Sequence, residues 1–325
     1  MNLFHLYTRI SQQLRYTKND ILWSLRQGKD LFAPKYGQRI MVYHGVDERG
    51  STRFNTRFIS QTQFEKQIQY MKTHFHLVSL SDYYKGHFAK DRLNISLTFD
   101  DGYQNHLTRV LPILERYNVP ATFFVTGIRT LGADMLWTDW LDIASPQLPD
   151  IVAFKGSFFQ KNRKGKYVSQ AKQLSLAQCF GTSLYPEIAT FIQQYPIDFA
   201  AISTDYYQAL TDKEIQAMAK NPLITIGSHT ISHLNMAEIC AENSYKELKE
   251  SKLYIENLIQ KPVDSFAFPF GAYNQKAIDI AEEVGYKQLL LLDYEGKSPT
   301  LQARFGVNPF ISFNNQMECL RENRY

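Results

Sequence analysis

Apolar and polar positions alternate along most of the chain in a way that predicts short buried strands separated by amphipathic helices. Short, unbroken apolar runs are typical of strands that are buried on both faces, and apolar residues spaced three and four apart are typical of helices. The predicted strands are 39–46, 95–99, 121–125, 224–227, 265–268 and 288–292. The predicted helices include 61–72, 110–117, 241–259 and 275–284. This alternation of strand and helix indicates an α/β fold with a parallel sheet or barrel.

Two segments depart from this alternation. Residues 3–32 predict a helix in which Arg and Lys outnumber Asp, and such a basic amphipathic helix either packs on the domain or lies on a membrane surface. Residues 131–210 contain a polar hairpin followed by a mostly helical stretch over 167–192. We therefore expect an N-terminal helical segment at 1–35 and one domain at 36–325, with 131–210 inserted over the active-site face.

Side chains that can bind metal follow two of the predicted strands. The strand 95–99 leads directly into Asp100 and Asp101. Adjacent carboxylates repel each other, and burying each costs roughly several kcal/mol, so a cation is the simplest compensation. A later strand leads into His229 and His233, which one helical turn would place on the same side. One carboxylate and two imidazoles suit a catalytic divalent metal.

Three motifs carry a resemblance to a known family. They are Phe99-Asp100-Asp101-Gly102, Ser228-His229-Thr230-Ile231-Ser232-His233 and Phe268-Pro269-Phe270-Gly271. In this order they resemble the first three motifs of the polysaccharide deacetylase family, carbohydrate esterase family 4, and the resemblance covers roughly residues 38–130 and 210–290. It implies a distorted (β/α) barrel and a metal-dependent hydrolase. The implied reaction removes an N-acetyl group from an amino sugar of a bacterial surface glycan or of its precursor.

The resemblance also implies roles for individual residues. Asp101, His229 and His233 would hold the metal, with Zn²⁺ as the default and Ni²⁺ or Co²⁺ also suited to these ligands. Asp100 would be the general base that takes a proton from the attacking water. The backbone amide of Phe270 would help to hold the oxyanion.

The chain departs from the family pattern at two positions. It lacks the arginine that the family carries near the position of Ala267, where that arginine orients the base, and Arg304 is the candidate replacement. It also has no histidine late in the chain, where many members carry the general acid. Tyr43-His44-Gly45-Val46 resembles a segment in the branch of the biofilm poly-N-acetylglucosamine deacetylases, so His44 is predicted to protonate the leaving amine. An ordinary hydrogen-bonded histidine at a strand end is the alternative.

Aromatic and basic residues near the motifs are the candidates for substrate binding. Tyr103, Trp137, Tyr273 and Arg304 are predicted to contact the sugar. Three other functions use similar residues: an O-deacetylase or another amidase with the same site, a catalytically silent glycan-binding module, and a non-haem iron oxygenase. The intact Asp and His set argues against the silent module, and the strand–helix alternation argues against the oxygenase.

Composition limits the classes of binding partner and the cellular locations that we expect. The net charge of +4, from 36 basic and 32 acidic residues, is too small to indicate nucleic-acid binding. Three widely spaced cysteines favour a reducing compartment. The first residues lack the pattern of a signal peptide, and no apolar run approaches the ~18 residues of a membrane span. We expect a cytoplasmic protein that acts on a glycan or a glycan precursor, with peripheral membrane contact through 3–32 as an alternative to packing on the domain.

Overall fold

The computed structural model describes residues 3–25, 36–296 and 298–323, with side chains described from residue 11 onward. The strands are β1 (Gly37–Tyr43), β2 (Val46–Asp47), β3 (Ile59–Ser60), β4 (His76–Leu77), β5 (Leu93–Phe99), β6 (Ala121–Val125), β7 (Ile151–Phe154), β8 (Ser157–Lys161), β9 (Tyr167–Ser169), β10 (Leu174–Ser175), β11 (Ile224–Ser228), β12 (Ser265–Ala267), β13 (Gln288–Leu291), β14 (Leu301–Ala303) and β15 (Phe305–Gly306). The helices are α1 (Leu3–Leu25), α2 (Gln61–His74), α3 (Leu80–Tyr84), α4 (Leu111–Tyr117), α5 (Trp137–Ala144), α6 (Leu176–Gly181), α7 (Tyr185–Gln194), α8 (Asp212–Met218), α9 (Ala241–Ile259), α10 (Gln275–Val284) and α11 (Phe313–Glu322). Several predicted elements, among them β6, α9 and α10, have the bounds that the apolar pattern predicted.

The main sheet is a nearly closed parallel barrel. Its strands lie in the order β14, β13, β12, β11, β6, β5, β1 and β15, and β4 also pairs with β5. Strands β14 and β15 are consecutive in the chain and are separated by Arg304 alone. Strand β14 pairs with β13 and β15 pairs with β1. The segment 301–306 therefore connects the two edges of the sheet. The distorted (β/α) barrel implied by the sequence is therefore confirmed.

The barrel core explains why charge is found at the strand ends. Every residue of β5 is buried, and Phe99 at its end stacks between Tyr43 and Phe123 at centroid distances of 5.2 and 4.7 Å. Burying one such side chain stabilises the fold by about 1.5–3 kcal/mol. A strand packed in this way has no room for a carboxylate along its length. The first charged side chains therefore follow its last residue.

The inserted segment forms a second, smaller core. Strands β7 to β10 make a four-stranded antiparallel sheet, and its apolar face packs with α5, α6 and α7 around Trp140, Phe154 and Phe180. The prediction of a mostly helical stretch over 167–192 was wrong at its start. Tyr167–Ser169 is a strand paired with β8, because pairing there buries the Tyr167 ring in this second core.

The two ends of the chain pack on each other. Helix α1 covers most of the predicted helix 3–32, and residues 26–32 lie outside the described residues, as does the expected boundary at 35. It packs on α11, a helix that the sequence analysis missed. Helix α11 begins at Phe313, where the Ser312 side chain caps the first turn by accepting the Asn315 backbone amide. Among the helices that the structure describes, none is both long and apolar enough to cross a membrane.

Candidate active site

Strand register brings the predicted site residues to one mouth of the barrel. Tyr43 pairs with Phe99 across β1 and β5, so His44 and Asp100 leave the sheet side by side. Ser228 pairs with Val125 on one side and with Phe266 on the other, and His229 follows it. In parallel barrels, the ends from which these residues emerge are the ends that carry the chemistry.

Asp101, His229 and His233 converge there into a compact group. The Asp101 Oδ1 atom lies 3.5 Å from His229 Nε2 and 3.3 Å from His233 Nε2. All three side chains are buried, and their potential ligand atoms lie within 4.8 Å of one another. Two ligands of a tetrahedral ion with bonds of about 2.0–2.1 Å would be separated by about 3.3 Å. The spacing of the three side chains therefore fits one small metal ion.

The hydrogen bonds around this group also favour a cation. The carbonyl oxygen of Ala267 lies 2.7 Å from His229 Nδ1, so Nδ1 carries the proton and a neutral ring presents a lone pair at Nε2. Within the described part of the chain, neither carboxylate oxygen of Asp101 has a hydrogen-bond partner. Burial acts to raise the pKa of Asp101, but the neighbouring imidazoles and Arg57 hold it well below its usual range. A buried carboxylate and a lone pair thus face each other, which is the arrangement that a divalent metal requires.

The backbone at this mouth is held in unusual conformations. Asp101, Thr230, His233 and Phe270 all have positive φ, at 74°, 67°, 59° and 60°. This region is unfavourable for non-glycine residues, most of all for a β-branched one such as Thr230, and costs on the order of 1–3 kcal/mol per residue. His229 and His233 are therefore not placed by a helical turn, as we expected from their spacing. Left-handed turns at Thr230 and His233 bring the two imidazoles together instead.

A carboxylate from α9 holds this histidine loop. Glu247 Oε2 accepts hydrogen bonds from the backbone amides of Ile231 and Ser232, both at 2.9 Å. Its Oε1 atom accepts a third from the Ser232 hydroxyl at 2.5 Å. Sequence analysis did not identify Glu247, because it lies on a long polar helix far from the motifs. It supplies the acceptors that the strained loop cannot find within itself.

Asp100 is paired with the arginine that closes the barrel. Arg304 Nη1 and Nη2 donate to the two carboxylate oxygens of Asp100 at 2.6 and 2.7 Å, and both side chains are buried. Burial acts to raise the pKa of Asp100, but the charge of Arg304 outweighs it and the pKa is lowered. This is the position in which Arg304 would orient the base. Its terminal nitrogens are bound to Asp100, so the predicted contact between Arg304 and the sugar does not fit the structure.

His44 stands beside this pair. Its carbonyl oxygen lies 3.0 Å from His106 Nε2, and its partly exposed imidazole is close enough to Asp100, Asp101 and Arg57 to be affected by their charges. Burial, followed by the charge of Arg57, lowers the pKa of His44 to about 3. The imidazole is therefore neutral near neutral pH in the free site.

A cavity of about 290 Å³ lies beside the metal-ligand group and is lined largely by the inserted segment. It is lined by Arg57, Trp137, Thr138, Leu141, Asp142, Ala177, Gln178, Gly181, Asn235 and Phe270. The indole nitrogen of Trp137 donates to the carbonyl oxygen of His233 at 3.2 Å, and the Phe270 ring lies edge-on to the His233 ring at 4.7 Å. The cavity thus has an apolar wall that is directly attached to one of the predicted metal ligands.

A larger cavity of about 920 Å³ lies elsewhere, along β1, β14 and the 292–296 loop. No predicted metal ligand lines either cavity. The smaller cavity is lined by direct neighbours of these ligands, because Arg57 lies 3.9 Å from Asp101 Oδ2, and Trp137 and Phe270 both contact His233. Catalysis needs the substrate to reach the reacting groups, so the smaller cavity is the candidate active site.

The predicted sugar-binding residues have different positions in the structure. Trp137 lines the cavity. Tyr103 is buried, and its hydroxyl donates to Asp139 Oδ1 at 2.9 Å, so this side chain supports the site from below and the predicted sugar contact does not fit. Tyr273 does not line the cavity, and its hydroxyl donates to the Asp293 carbonyl at 3.1 Å.

Sequence analysis missed a polar network that enters the site from the loop between β2 and β3. Asn55 Nδ2 donates to the Tyr103 hydroxyl at 3.0 Å and to Asp139 Oδ1 at 3.3 Å. Its Oδ1 atom accepts the backbone amide of Arg57 at 3.0 Å, and Arg57 Nη2 lies 3.9 Å from Asp101 Oδ2. The position of Asp139 between aromatic residues is a sequence signal that could have marked it as a functional residue. The loop around Arg57 has no such signal.

Asp139 differs in ionisation from the two carboxylates at the mouth. Burial, followed by the nearby charge of Asp101, raises the pKa of Asp139 well above its usual range. The metal-ligand group thus contains one carboxylate, Asp101, whose pKa is lowered, and the neighbouring Asp139 has a raised pKa.

Comparison with known proteins agrees with these features. The sequence model of the polysaccharide deacetylase family matches residues 89–144 and 173–289, more than half of the chain. The gap between the two matched segments covers β7, β8 and β9. YxkH of Bacillus subtilis (strain 168), whose name assigns it provisionally to the polysaccharide deacetylases, is 27% identical over 103 residues, which is 32% of this chain and 37% of YxkH.

A second relative is the poly-β-1,6-N-acetyl-D-glucosamine N-deacetylase of Staphylococcus aureus (strain NCTC 8325 / PS 47). It is 36% identical over 73 residues, which is 21% of this chain and 25% of that protein. The matches thus span only about a third and a quarter of the lengths of these two relatives.

Solved structures share the fold over a longer stretch. The Streptococcus pyogenes deacetylase PplD has a TM-score of 0.57 at 19% identity, with 88% of this chain and 98% of PplD covered. IcaB from Ammonifex degensii has a TM-score of 0.56 at 15% identity, with 89% and 100% covered. The motifs, the barrel and the extent of the family match lead to one conclusion: this chain belongs to the polysaccharide deacetylase family.

Proposed function

We propose that this protein is a metal-dependent carbohydrate N-deacetylase. The observation that carries the proposal is the buried carboxylate of Asp101, which has no hydrogen-bond partner among the described residues and faces two imidazole Nε2 atoms at 3.3 and 3.5 Å. The substrate would be an N-acetylated amino sugar of a bacterial surface glycan or of its precursor. The name of the Staphylococcus aureus relative supports N-acetylglucosamine chemistry.

Asp101, His229 and His233 would hold the metal. A divalent ion bound there would polarise the acetyl carbonyl and make a water molecule more acidic. Zn²⁺ is the default for one carboxylate and two imidazoles, and Ni²⁺ or Co²⁺ would also fit. The other side chains of the site would then share the proton transfers and bind the substrate.

Asp100 would act as the general base. The two hydrogen bonds from Arg304 keep its carboxylate ionised and fix its orientation beside Asp101. An ionised, fixed carboxylate can accept the proton of the attacking water as the water adds to the amide carbonyl carbon. The backbone amide of Phe270, in the tight turn next to His233, would donate to the oxygen that gains negative charge.

His44 would donate the proton that the leaving amine needs when the C–N bond breaks and acetate is formed. Its place beside Asp100 supports this role. Its pKa is about 3 in the free site, so the proton that it donates would be the one that the attacking water gives up to Asp100 and that Asp100 passes on. Near neutral pH, His44 would therefore be neutral in the enzyme before the substrate binds.

The cavity beneath the inserted segment would hold the sugar. Trp137 and Phe270 offer ring faces of the kind on which sugars stack. Arg57, Gln178 and Asn235 offer polar groups at the same cavity. An O-acetyl substrate could use the same residues, because the attack of water on the acetyl carbonyl is common to both reactions.

Metal analysis combined with acetate release tests the proposal. The purified protein should contain one divalent metal per chain and release acetate from N-acetylhexosamine oligomers or from nucleotide-linked N-acetylhexosamine. His229→Ala should lose both metal and activity, and Asp100→Asn should keep the metal and lose activity. His87→Ala, a change at an exposed histidine away from the site, should alter neither.

Two results would contradict the proposal. Full activity in the metal-free protein would rule out metal dependence, and acetate release from O-acetylated sugars alone would favour the O-deacetylase. The role of His44 has its own test, because His44→Ala should lower kcat strongly while the metal content stays the same. Unchanged turnover in that variant would remove His44 from the mechanism.

A further inference from the structure

Helix α1 is held to the domain along one face. The Tyr16 side chain is buried, and the Asn315 side chain of α11 donates to the Tyr16 carbonyl at 3.1 Å. One turn further on, the Ser312 hydroxyl donates to Asp20 Oδ1 at 2.6 Å, and the Trp23 ring packs edge-on to Phe313 at 6.5 Å. These contacts determine which side of the helix faces outward.

The outward face is apolar. Leu14, Ile21 and Leu25 are 66, 54 and 73% exposed. Spacings of seven and four residues place all three on one line along the helix, about 180° around the axis from Tyr16 and Trp23. In the sequence the same spacing continues upstream at Ile10, Tyr7 and Leu3. A soluble domain rarely exposes several large aliphatic side chains in one row, so this row has the character of a binding surface.

The charges along this face have one sign. Lys18 is exposed between Leu14 and Ile21, whereas the Arg15 guanidinium lies over the ring of Tyr16 on the inner side. The one acidic residue among the described side chains of α1, Asp20, is bound on the inner side by Ser312 and Asn315. The outward face therefore combines aliphatic groups with uncompensated positive charge.

We propose that this outward face of α1 binds peripherally to an anionic lipid bilayer. A helix with an apolar row and a lysine beside it lies in the plane of the headgroups, with its aliphatic side chains among the acyl chains and its cation near the phosphates. The long side chain of Lys18 reaches the phosphate level from within the apolar row. This proposal does not depend on the proposed enzymatic activity.

A second copy of the chain is the competing occupant, and the charges disfavour it. A two-fold dimer through this row would bring Lys18 of both copies close together at the centre of the contact. No acidic side chain described on α1 is free to neutralise them, since Asp20 is bound to α11. Anionic lipid phosphates supply the missing negative charge.

Vesicle flotation of the full chain tests the proposal. The protein should float with vesicles of phosphatidylcholine and phosphatidylglycerol, and much less with phosphatidylcholine alone. Raised salt should weaken binding, because the attraction to phosphates is screened. The triple variant Leu14→Ser, Ile21→Ser and Leu25→Ser should lose about tenfold or more of the binding, and Lys18→Glu should lose binding to the anionic vesicles in particular.

A matched control separates this surface from general hydrophobicity. The double variant Ile151→Ser and Phe158→Ser removes side chains that are 56 and 73% exposed on β7 and β8 of the inserted segment, and it should float like the wild type. Melting curves should show that every variant is folded. The proposal is overturned if the wild type does not float, if the triple variant floats equally well, or if light scattering shows a dimer that the triple variant converts to a monomer without any vesicle binding.

Discussion

The two adjacent aspartates of the first motif have different partners, although they are neighbours in sequence. Asp100 is neutralised by the two-pronged guanidinium of Arg304. Asp101 has no hydrogen-bond partner among the described residues and faces two imidazoles. Because arginine stays charged at all relevant pH values, Asp100 remains ionised, and the two hydrogen bonds fix the orientation of its carboxylate. Arg304 thus distinguishes Asp100, the proposed base, from Asp101, the proposed metal ligand.

Replacing Arg304 by methionine tests how much this pair contributes. Arg304→Met leaves a buried carboxylate without its partner, and we expect the free energy of unfolding to fall by about 3–5 kcal/mol in urea titrations. Replacing Asp100 by leucine in the same chain should recover part of the loss, because no unpaired charge then remains. Arg92→Met is the control, since its pair with Asp91 is exposed, and it should change nothing measurable. An equal effect in both single variants would contradict the interpretation.

His106 supports the site as a neutral residue, which makes stability depend on pH. Burial lowers the pKa of His106 to about 4, whereas in the unfolded chain it is about 6.5. The unfolded chain therefore binds the additional proton between these two values. The stabilisation is complete above pH 6.5 and is lost as the pH falls towards 4, by up to about 3 kcal/mol.

The variant His106→Gln keeps a nitrogen donor for the His44 carbonyl and removes the titration. We expect its stability to vary less with pH between about 6.5 and 4 than that of the wild type, as measured by urea unfolding at several pH values. Some dependence should persist, because the pKa of His44 is also low. Parallel profiles for the two proteins would show that His106 does not titrate in this range.

At the scale of elements, the strand ends fix where the active-site loops begin, and a neighbouring helix holds the histidine loop in its conformation. The histidine loop leaves β11, takes two left-handed turns and is then bound by Glu247 of α9 through three hydrogen bonds. Strain of this kind persists only where the surroundings hold it. The position of His233 therefore depends on a helix that begins after it in the chain.

Glu247→Leu should loosen this loop. Two backbone amides and a hydroxyl lose their acceptor, and we expect a loss of about 2–3 kcal/mol in the free energy of unfolding. Metal affinity, measured by titration of the chelator-treated protein, should fall about 10–100-fold, as for other residues that position ligands. Glu250→Leu changes an exposed residue of the same helix and should leave metal affinity as in the wild type. Equal affinity in the two variants would contradict the role of Glu247.

At the scale of the whole molecule, two long-range arrangements complete the site. The segment from β14 to β15 closes the barrel and carries Arg304 to Asp100. The inserted segment brings its own core over the mouth and attaches Trp137 to the His233 carbonyl. The family model does not match residues 145–172, so part of this cover lies outside the sequence pattern of the family. The inserted segment is therefore the candidate region for substrate selection.

Metal removal should destabilise the whole domain. A ligand that binds only the folded protein stabilises it by about 2.7 kcal/mol at a free concentration one hundred times its Kd. We expect a chelator to lower the Tm and added Zn²⁺ to restore it, as followed by calorimetry. Asp101→Asn should show no shift with Zn²⁺, because the charged ligand is gone. A wild-type Tm that changes with neither the chelator nor Zn²⁺ would contradict the prediction of a metal at this site.

Much of the barrel could be predicted from the sequence, because strands and helices are encoded by local periodicity. The bounds of β6, α9 and α10 followed from apolar spacing alone, and the motifs showed which strand ends carry side chains that bind metal. The convergence of Asp101, His229 and His233 was also expected, since parallel strand ends meet at one mouth. Local pattern was enough for these features because each depends on a few neighbouring residues.

Tertiary structure alone decided the partners that come from distant parts of the chain. No local pattern indicated that Arg57 would reach Asp101, that Tyr103 would be buried beneath the site, or that Glu247 would hold the histidine loop. Helix α11 was also missed, because its stability comes from packing on the main core through Met317 and Leu320 and on α1 at the other end of the chain. Which side chains meet depends on strand register, barrel closure and burial, and these are properties of the folded chain as a whole.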